Sequence, residues 1–326
     1  MILAGDIGGT STRLALFDVG SGALQVVAQQ RYASREHAGL AEIVKAFTAV
    51  HAQPIEKACF GIAGPIRDGK AETPNLPWVI EARVLADQLS LSGVTLLNDL
   101  EANAWGVFTL ADADVAQIAV GAPAGDGNAA IISAGTGLGE AGYVWDGSRL
   151  RPFASEGGHA DFAPRDELTL ELYRWLRGRH GHVSWERVVS GPGLVNIYTF
   201  LRDVKGGAES KALTAAMSAG DPAAAISIAA LDESSELAVR ALDLFVILYG
   251  AEAGNLALKM KATQGVWIGG GIAPKILPRL KRPGFLEAFR DKGRFRSFLE
   301  AIPVRVVLNE TTALRGAAWH VRSASA

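Results

Sequence analysis

Cysteine is almost absent from this chain: among 326 residues, Cys59 is the only one. A single thiol excludes a disulfide framework and a cysteine-based zinc site. Set in the apolar run ACFGIAG, it reads as a small core residue. An excess of charge of one sign is lacking too. Lys and Arg number 32 against 34 Asp and Glu, for a formal net charge of −2. Basic residues cluster only briefly, as in RLKR at 279–282. That balance gives no electrostatic footprint for nucleic acid. No run of about 20 uncharged apolar residues occurs. The best candidate, 241–260, is interrupted by Asp243, Glu252 and Asn255 and reads as the buried helix of a soluble protein. No basic region followed by an apolar stretch opens the chain, so no secretory signal is expected. A cytoplasmic enzyme or a cytoplasmic binding protein, with no membrane partner, fits these absences.

What is present is apolar and rich in glycine. A hydrophobic content of 49% is ample for a sizeable core, and the length suits one large domain or two of ordinary size. Periodicity lays out the first half. MILAGD, STRLALFD and ALQVVAQQRYA read as three strands. Leu40, Ile43, Val44 and Phe47 fall on one helical face. KACFGIAG returns to strand, EARVLADQL to helix, GVTLLND to strand and LEANAWGVF to helix. After a polar stretch at 121–128, NAAIISAGTGLGEAGYVWDG repeats the opening form of strand, Gly/Thr turn and strand, a weak internal duplication. Helices dominate from Glu167 to about Leu258. GVWIGGGIAPKIL then gives strand, triple glycine and helix; IPVRVVL is a late strand and TTALRGAAWHVRS a closing helix. Alternating strands and helices argue for α/β architecture.

Three glycine-rich turns lie far apart in this pattern. The first, around Gly5, Asp6, Ile7, Gly8, Gly9 and Thr10, leads into a second strand. A Rossmann fingerprint would lead into a helix, so this is a hairpin. Its bare backbone amides can close around phosphate oxygens. Thr10 adds a hydroxyl, and Asp6 could hold magnesium through water. A plain hairpin needs one or two glycines but no aspartate just ahead of them. The second turn holds Gly135, Thr136 and Gly137; the third holds Gly269, Gly270 and Gly271. Three such turns suit a nucleotide gripped between two domains. GPIRDGKA (64–71) nearly matches a Walker A loop, but Ala71 stands where Ser or Thr should hold magnesium, and a proline-broken stretch follows.

Asn98 and Asp99 lie where a strand gives way to a helix. One of them could be an N-cap; two in a row exceed what a cap requires. Ligands in α/β sheets gather at the carboxyl ends of strands, and an aspartate there could accept a substrate hydroxyl proton during phosphoryl transfer. Glu156 and His159 flank two glycines with no apolar neighbour to bury them, which tilts them toward ligand contact. Glu186, if on a helix, could equally be a solvated face. Carboxylates and Asn suit vicinal sugar hydroxyls, which donate and accept. His180-Gly181-His182 has no accompanying ligand set and reads as a surface loop.

Taken together, GDIGGTSTRLAL, GIAGPI, NLPW, LLNDLEANAWG, AGTGLGEAGY, EGGHADFAP, WERVVSGPGL, GGGIAPK and FRDKGRF appear in the order seen in the bacterial glucokinase family. The resemblance spans essentially the whole chain. It implies membership of the actin, sugar-kinase and heat-shock-chaperone ATPase superfamily, with two actin-like, ribonuclease H-like α/β domains facing across a cleft. Residues 1–110 plus 303–326 would form the small domain and 111–302 the large one. It further implies ATP with Mg2+, phosphorylation of D-glucose at O6, and a homodimer. Asp99 would be the general base. Asn98, Asp99, Glu156, His159 and Glu186 would contact glucose. Gly5 to Thr10 and Gly135 to Gly137 would hold phosphate, with magnesium water on Asp6. Gly269 to Gly271 would approach the adenosine, and domain closure would exclude water.

The related repressor, open-reading-frame and kinase group carries a cysteine-rich zinc motif after its Glu-Gly-His loop, absent here, so zinc is not expected and that branch is disfavoured. A strand at residue 2 leaves no place for that group's N-terminal helix-turn-helix. LNETTALRGAA replaces an Asn-Pro-Gly sequence carried by many relatives, which bears on the last hinge. Two other readings stay open: a kinase for another hexose or an amino sugar on the same fold, and a sugar-sensing protein that has lost catalysis.

Overall fold

The computed structural model describes residues 1–20, 24–73 and 76–323. Asn75, which opens the NLPW sequence, lies outside them. The chain divides into two compact units, Met1–Asp114 with Asn309–Ala326, and Val115–Leu308.

In the first unit the elements run β1 (Ile2–Ile7), β2 (Ser11–Asp18), β3 (Gln25–Ala33), α1 (Leu40–Val50), β4 (Lys57–Ile62), β5 (Ile66–Arg67), β6 (Lys70–Glu72), β7 (Val79–Glu81), α2 (Ala82–Leu89), β8 (Val94–Asn98) and α3 (Asp99–Gly106). The main sheet has the order β3-β2-β1-β4-β8. β1 and β2 pair antiparallel, while β1, β4 and β8 run parallel. Both faces are covered, which explains the nearly continuous apolar strands. Leu3 and Ile7 of β1 join a core with Leu40, Ile43, Val44 and Phe47 of α1 and Leu85 of α2. Ile2 and Ala4, on the opposite face by the two-residue period of a strand, join Ala102 of α3 and residues of a helix from the far end of the chain. Cys59 lies in this second core, fully buried. The small sheet β5-β6-β7 was not expected. Its strands are two or three residues long, too short for alternation to register, and they stand where the sequence reads directly from β4 to α2.

The second unit contains β9 (Val115–Ala119), β10 (Ala129–Ala134), β11 (Leu138–Trp145), β12 (Leu150–Ser155), α4 (Glu167–His180), α5 (Gly191–Asp203), α6 (Lys211–Ala219), α7 (Pro222–Leu231), α8 (Glu236–Met260), β13 (Gly265–Gly269), α9 (Leu277–Leu280), α10 (Pro283–Arg290), α11 (Arg296–Glu300) and β14 (Val304–Val307). Its sheet has the order β12-β11-β10-β13-β14-β9. β9 and β12 are edge strands that the sequence reading passes over. α8 is apolar around most of its circumference because it is the core of this unit: Leu242, Phe245, Leu248, Tyr249, Ala253 and Leu256 are all buried. It is long and apolar enough to cross a membrane by length and composition, but 78% of its most apolar window is buried within the fold. The chain then returns to the first unit as α12 (Thr312–Ser323), which lays Ala313, Leu314, Ala317, Ala318 and Val321 into the core on the Ile2/Ala4 face.

Candidate active site

In the first unit, register brings the predicted residues to one end of the sheet. Ile7 pairs with Ile62, and Ile62 with Asn98, so β1, β4 and β8 finish at the same level. Asp6 and Asn98 stand two strands apart, about 10 Å at ordinary strand spacing. Between them is Gly61, where a Cβ would collide with Ala102 and lie 3.7 Å from the Gly5 carbonyl oxygen and 3.8 Å from Asp99 Cα. The β1–β2 turn is braced from beneath. Gly8 N–H donates to the Ser11 carbonyl at 3.0 Å, and buried Ser34 donates its hydroxyl to the Gly8 carbonyl at 2.8 Å. Ser34 N–H in turn donates to the Thr10 carbonyl at 3.1 Å. Ser34 carried no sequence signal, since it acts through position rather than motif.

Asp6 faces Arg13 across the strand pair. Burial raises its carboxyl above the usual aspartate range, and the Arg13 charge partly offsets this. Arg13 also donates to the Glu310 carbonyl at 2.9 Å, where the chain enters α12. Asn98 does cap α3: its side chain accepts the Leu100 N–H at 2.9 Å and donates to the Gly64 carbonyl at 3.3 Å. Asp99 is the first residue of the helix, and its Oδ1 also accepts the Leu100 N–H, at 2.9 Å. Both side chains thus serve the first turn of the helix, Asn98 as its cap and Asp99 as its first residue, at an N-terminus where negative charge is stabilised.

In the second unit, β10 and β13 are parallel neighbours, with Ser133 opposite Gly269, so the turns that follow them emerge side by side. Gly135 N–H donates to the Gly137 carbonyl at 2.8 Å, and the Gly135 carbonyl accepts from Gly191 at the start of α5, also at 2.8 Å. Gly270 has a φ of +81°, and a Cβ there would collide with Ala134, so glycine is required by both conformation and space. Gly135 and Gly271 differ: a Cβ on either would meet nothing within 4 Å. Packing does not demand glycine at these two positions, whereas close approach of a ligand would. Tyr249, from α8, ties the two turns together. Its hydroxyl accepts the Ala134 N–H at 3.2 Å and lies 3.3 Å from the Ile132 carbonyl and 3.4 Å from that of Gly269. In the sequence it is one apolar residue of a buried helix.

Glu186 sits in a single helical turn (Trp185–Arg187), half-buried, not on the solvated face of a long helix. Its Oε2 accepts the Leu138 N–H at 3.0 Å, against Gly137, and its Oε1 lies 4.0 Å from His159 Nδ1. One carboxylate thus joins the Gly135–Gly137 turn to the Gly157–His159 turn. Glu156 precedes that turn and is exposed, as is His159. His182, expected to be a plain loop residue, pairs through Nε2 with Asp161 at 2.8 Å.

The glucokinase family model matches residues 3–324. The chain belongs to the glucokinase family. A glucokinase of Nostoc punctiforme is 44% identical over 98% of this chain and 98% of its own length. Among solved structures, a glucokinase from an Antarctic psychrotroph superposes with a TM-score of 0.85 at 31% identity, covering 99% of this chain and 98% of that one. A ROK family glucokinase from Streptomyces griseus, crystallised in complex with glucose and AMPPNP, has a TM-score of 0.68 at 23% identity over 99% of both chains. It shares the fold. The architecture of this glucokinase-family chain is accordingly that of the actin-like sugar kinases.

Among the described residues, no group of three or more His, Cys, Asp or Glu side chains could hold a metal ion. Asp6 alone offers a carboxylate at the β1–β2 turn. That donor set fits a magnesium ion carried mostly by phosphate and water, and not a resident metal centre.

Proposed function

We propose that this chain transfers the γ-phosphoryl group of ATP to O6 of D-glucose. The observation that carries this reading is end-to-end kinship with glucokinases, at 44% identity over 98% of the chain. The reported complex of the Streptomyces griseus relative with glucose and AMPPNP supports the same pair of substrates.

In this reading Asp99 accepts the proton of the O6 hydroxyl as the phosphoryl group moves in line. Its Oδ1 is fixed by the Leu100 amide, which holds the carboxyl plane without a long flexible tether. Asn98 contributes its amide to the sugar while capping α3. In the second unit, Glu156, His159 and Glu186 bind the other hydroxyls, with Glu186 oriented by the Leu138 amide. The turns Gly5–Thr10 and Gly135–Gly137 offer backbone amides to the phosphates, and Gly269–Gly271 leaves room for the adenosine. Mg2+, held by the phosphates and through water by Asp6, would offset phosphate charge. A homodimer and a cytoplasmic location belong to the same reading.

A hexose panel in an ADP-coupled assay tests it, run with ATP and with ADP as donor. Glucose with ATP should give the highest kcat/KM. A higher value for mannose, fructose or an amino sugar would reassign the substrate. Glucose binding by calorimetry without ADP release would identify a sensor and not a kinase.

A further inference from the structure

Beneath the Gly157–His159 turn lies a pair of buried carboxyls that phosphoryl transfer does not use. Glu140 on β11 is 1% exposed and Glu252 on α8 is 0% exposed. Glu252 is supplied with donors: Asn255 Nδ2 reaches its Oε2 at 2.7 Å and Lys259 Nζ its Oε1 at 3.2 Å. Lys292 Nζ completes the cluster, donating to Asn255 Oδ1 at 2.6 Å and to the Ala251 carbonyl at 2.9 Å. Glu140 has no comparable supply. Its Oε1 is buried without any donor. Its Oε2 lies against Gly157, where a Cβ would collide with it. The same residue anchors the turn through its backbone. Ser155 Oγ donates to the Glu140 carbonyl at 2.8 Å and accepts the Gly157 N–H at 3.3 Å.

A carboxylate sealed from water beside a second carboxylate, with no donor of its own, is costly. A neutral carboxyl is not, because it can give its own proton to Glu252. We propose that Glu140 is held as a neutral acid hydrogen-bonded to Glu252, and that in this state it sets the position of the turn between Glu156 and His159. Glu140 is then a positioning residue for the sugar; the inference rests on the reading of that turn as sugar-binding. The charged and titratable groups facing the pair are Lys259 and Tyr249 on α8, and Lys292, itself flanked by Asp291 and Arg165. Burial, then the Glu252 charge, push the Glu140 carboxyl up to about 8 against the pull of Lys259. Ionisation above that pH would set a second anion beside Glu252 while the Glu140 carboxylate is already packed against Gly157, so a shift of Glu140 away from Glu252 would be felt by the turn.

The test is the glucose KM at saturating ATP, measured on either side of pH 8 for the wild-type chain and E140Q. With only the neutral form competent, the wild-type KM should rise about tenfold one pH unit above 8. In E140Q the amide keeps a donor toward Glu252 and cannot ionise, so the rise should vanish. Lys292, which burial lowers to about 8, keeps all its bonds in E140Q, so a rise caused by Lys292 would persist. The same profile in both proteins overturns the inference. If E140Q does not fold, E252Q decides. Removing the like charge should move the onset to lower pH, and an unmoved onset overturns the inference. Glu156→Ala separates this from the underlying reading. If it leaves the glucose KM unchanged, the sugar-site assignment falls and takes this inference with it. If it raises the KM while E140Q follows the wild-type profile, only the inference falls.

Discussion

Replacing Tyr249 by phenylalanine removes one oxygen atom and leaves the ring of a fully buried side chain in place. That oxygen accepts the Ala134 N–H and sits within reach of the Ile132 and Gly269 carbonyls. Ala134 is completely buried, so its amide would be stranded without water, at about 1–3 kcal/mol. The lost donated bond adds about 0.5–1.5 kcal/mol. A total of roughly 2–4 kcal/mol, at about 2–4 °C per kcal/mol for a unit of this size, corresponds to a fall of about 4–16 °C in Tm. The functional effect should be selective, because the hydroxyl links the ends of β10 and β13 and not the Gly157–His159 turn. Tyr249→Phe should raise the KM for ATP and leave the KM for glucose near its wild-type value, in steady-state assays below the melting range. Unchanged Tm and ATP KM would refute the view that this hydroxyl ties the two turns. Equal rises in both KM values would show general loosening instead.

Other outcomes follow from the first unit. Asp99→Asn should lower kcat by about 10²–10⁴-fold while calorimetry still detects glucose binding; near-normal turnover would remove Asp99 from the role of base. Asp6→Asn should lose activity but melt higher than wild type at neutral pH. Burial raises the Asp6 pKa in the folded chain, so its ionisation costs stability as pH rises from the unfolded value toward the folded one. The advantage of the amide should therefore disappear below the ordinary aspartate value of 3.8, and a lower melting temperature at pH 7 would contradict this.

Legibility in the sequence followed the length of each signal. β1, β2, β4, β8, β10 and β11 are long enough for apolar runs to stand out, and the strand character of RLALFD after the first glycines separates a hairpin from a Rossmann turn. β5, β6 and β7 are too short for alternation to register, and β9 and β12 are edge strands with mixed patterns. Asn98 and Asp99 stand out because two polar residues at a strand end exceed what a cap needs; the structure makes Asn98 the cap and Asp99 the first residue of α3. Glu186 was ambiguous because its role depends on an amide 48 residues away. Tyr249 and Ser34 could not be found at all. Their hydroxyls act on backbone groups, and nothing in local periodicity distinguishes a buried tyrosine that bonds two loops from one that merely fills volume.

The return of α12 to the first unit bears on biosynthesis. During translation, residues 1–114 leave the ribosome before their last structural piece has been made, so one face of β1 and β4 must wait with only α3 to cover it while the whole of Val115–Leu308 emerges. The second unit is continuous in sequence and can finish first. The half that begins the protein is the last to be completed, and a chain stopped a few residues short of Thr312 would keep its second unit intact while leaving the first with an open core.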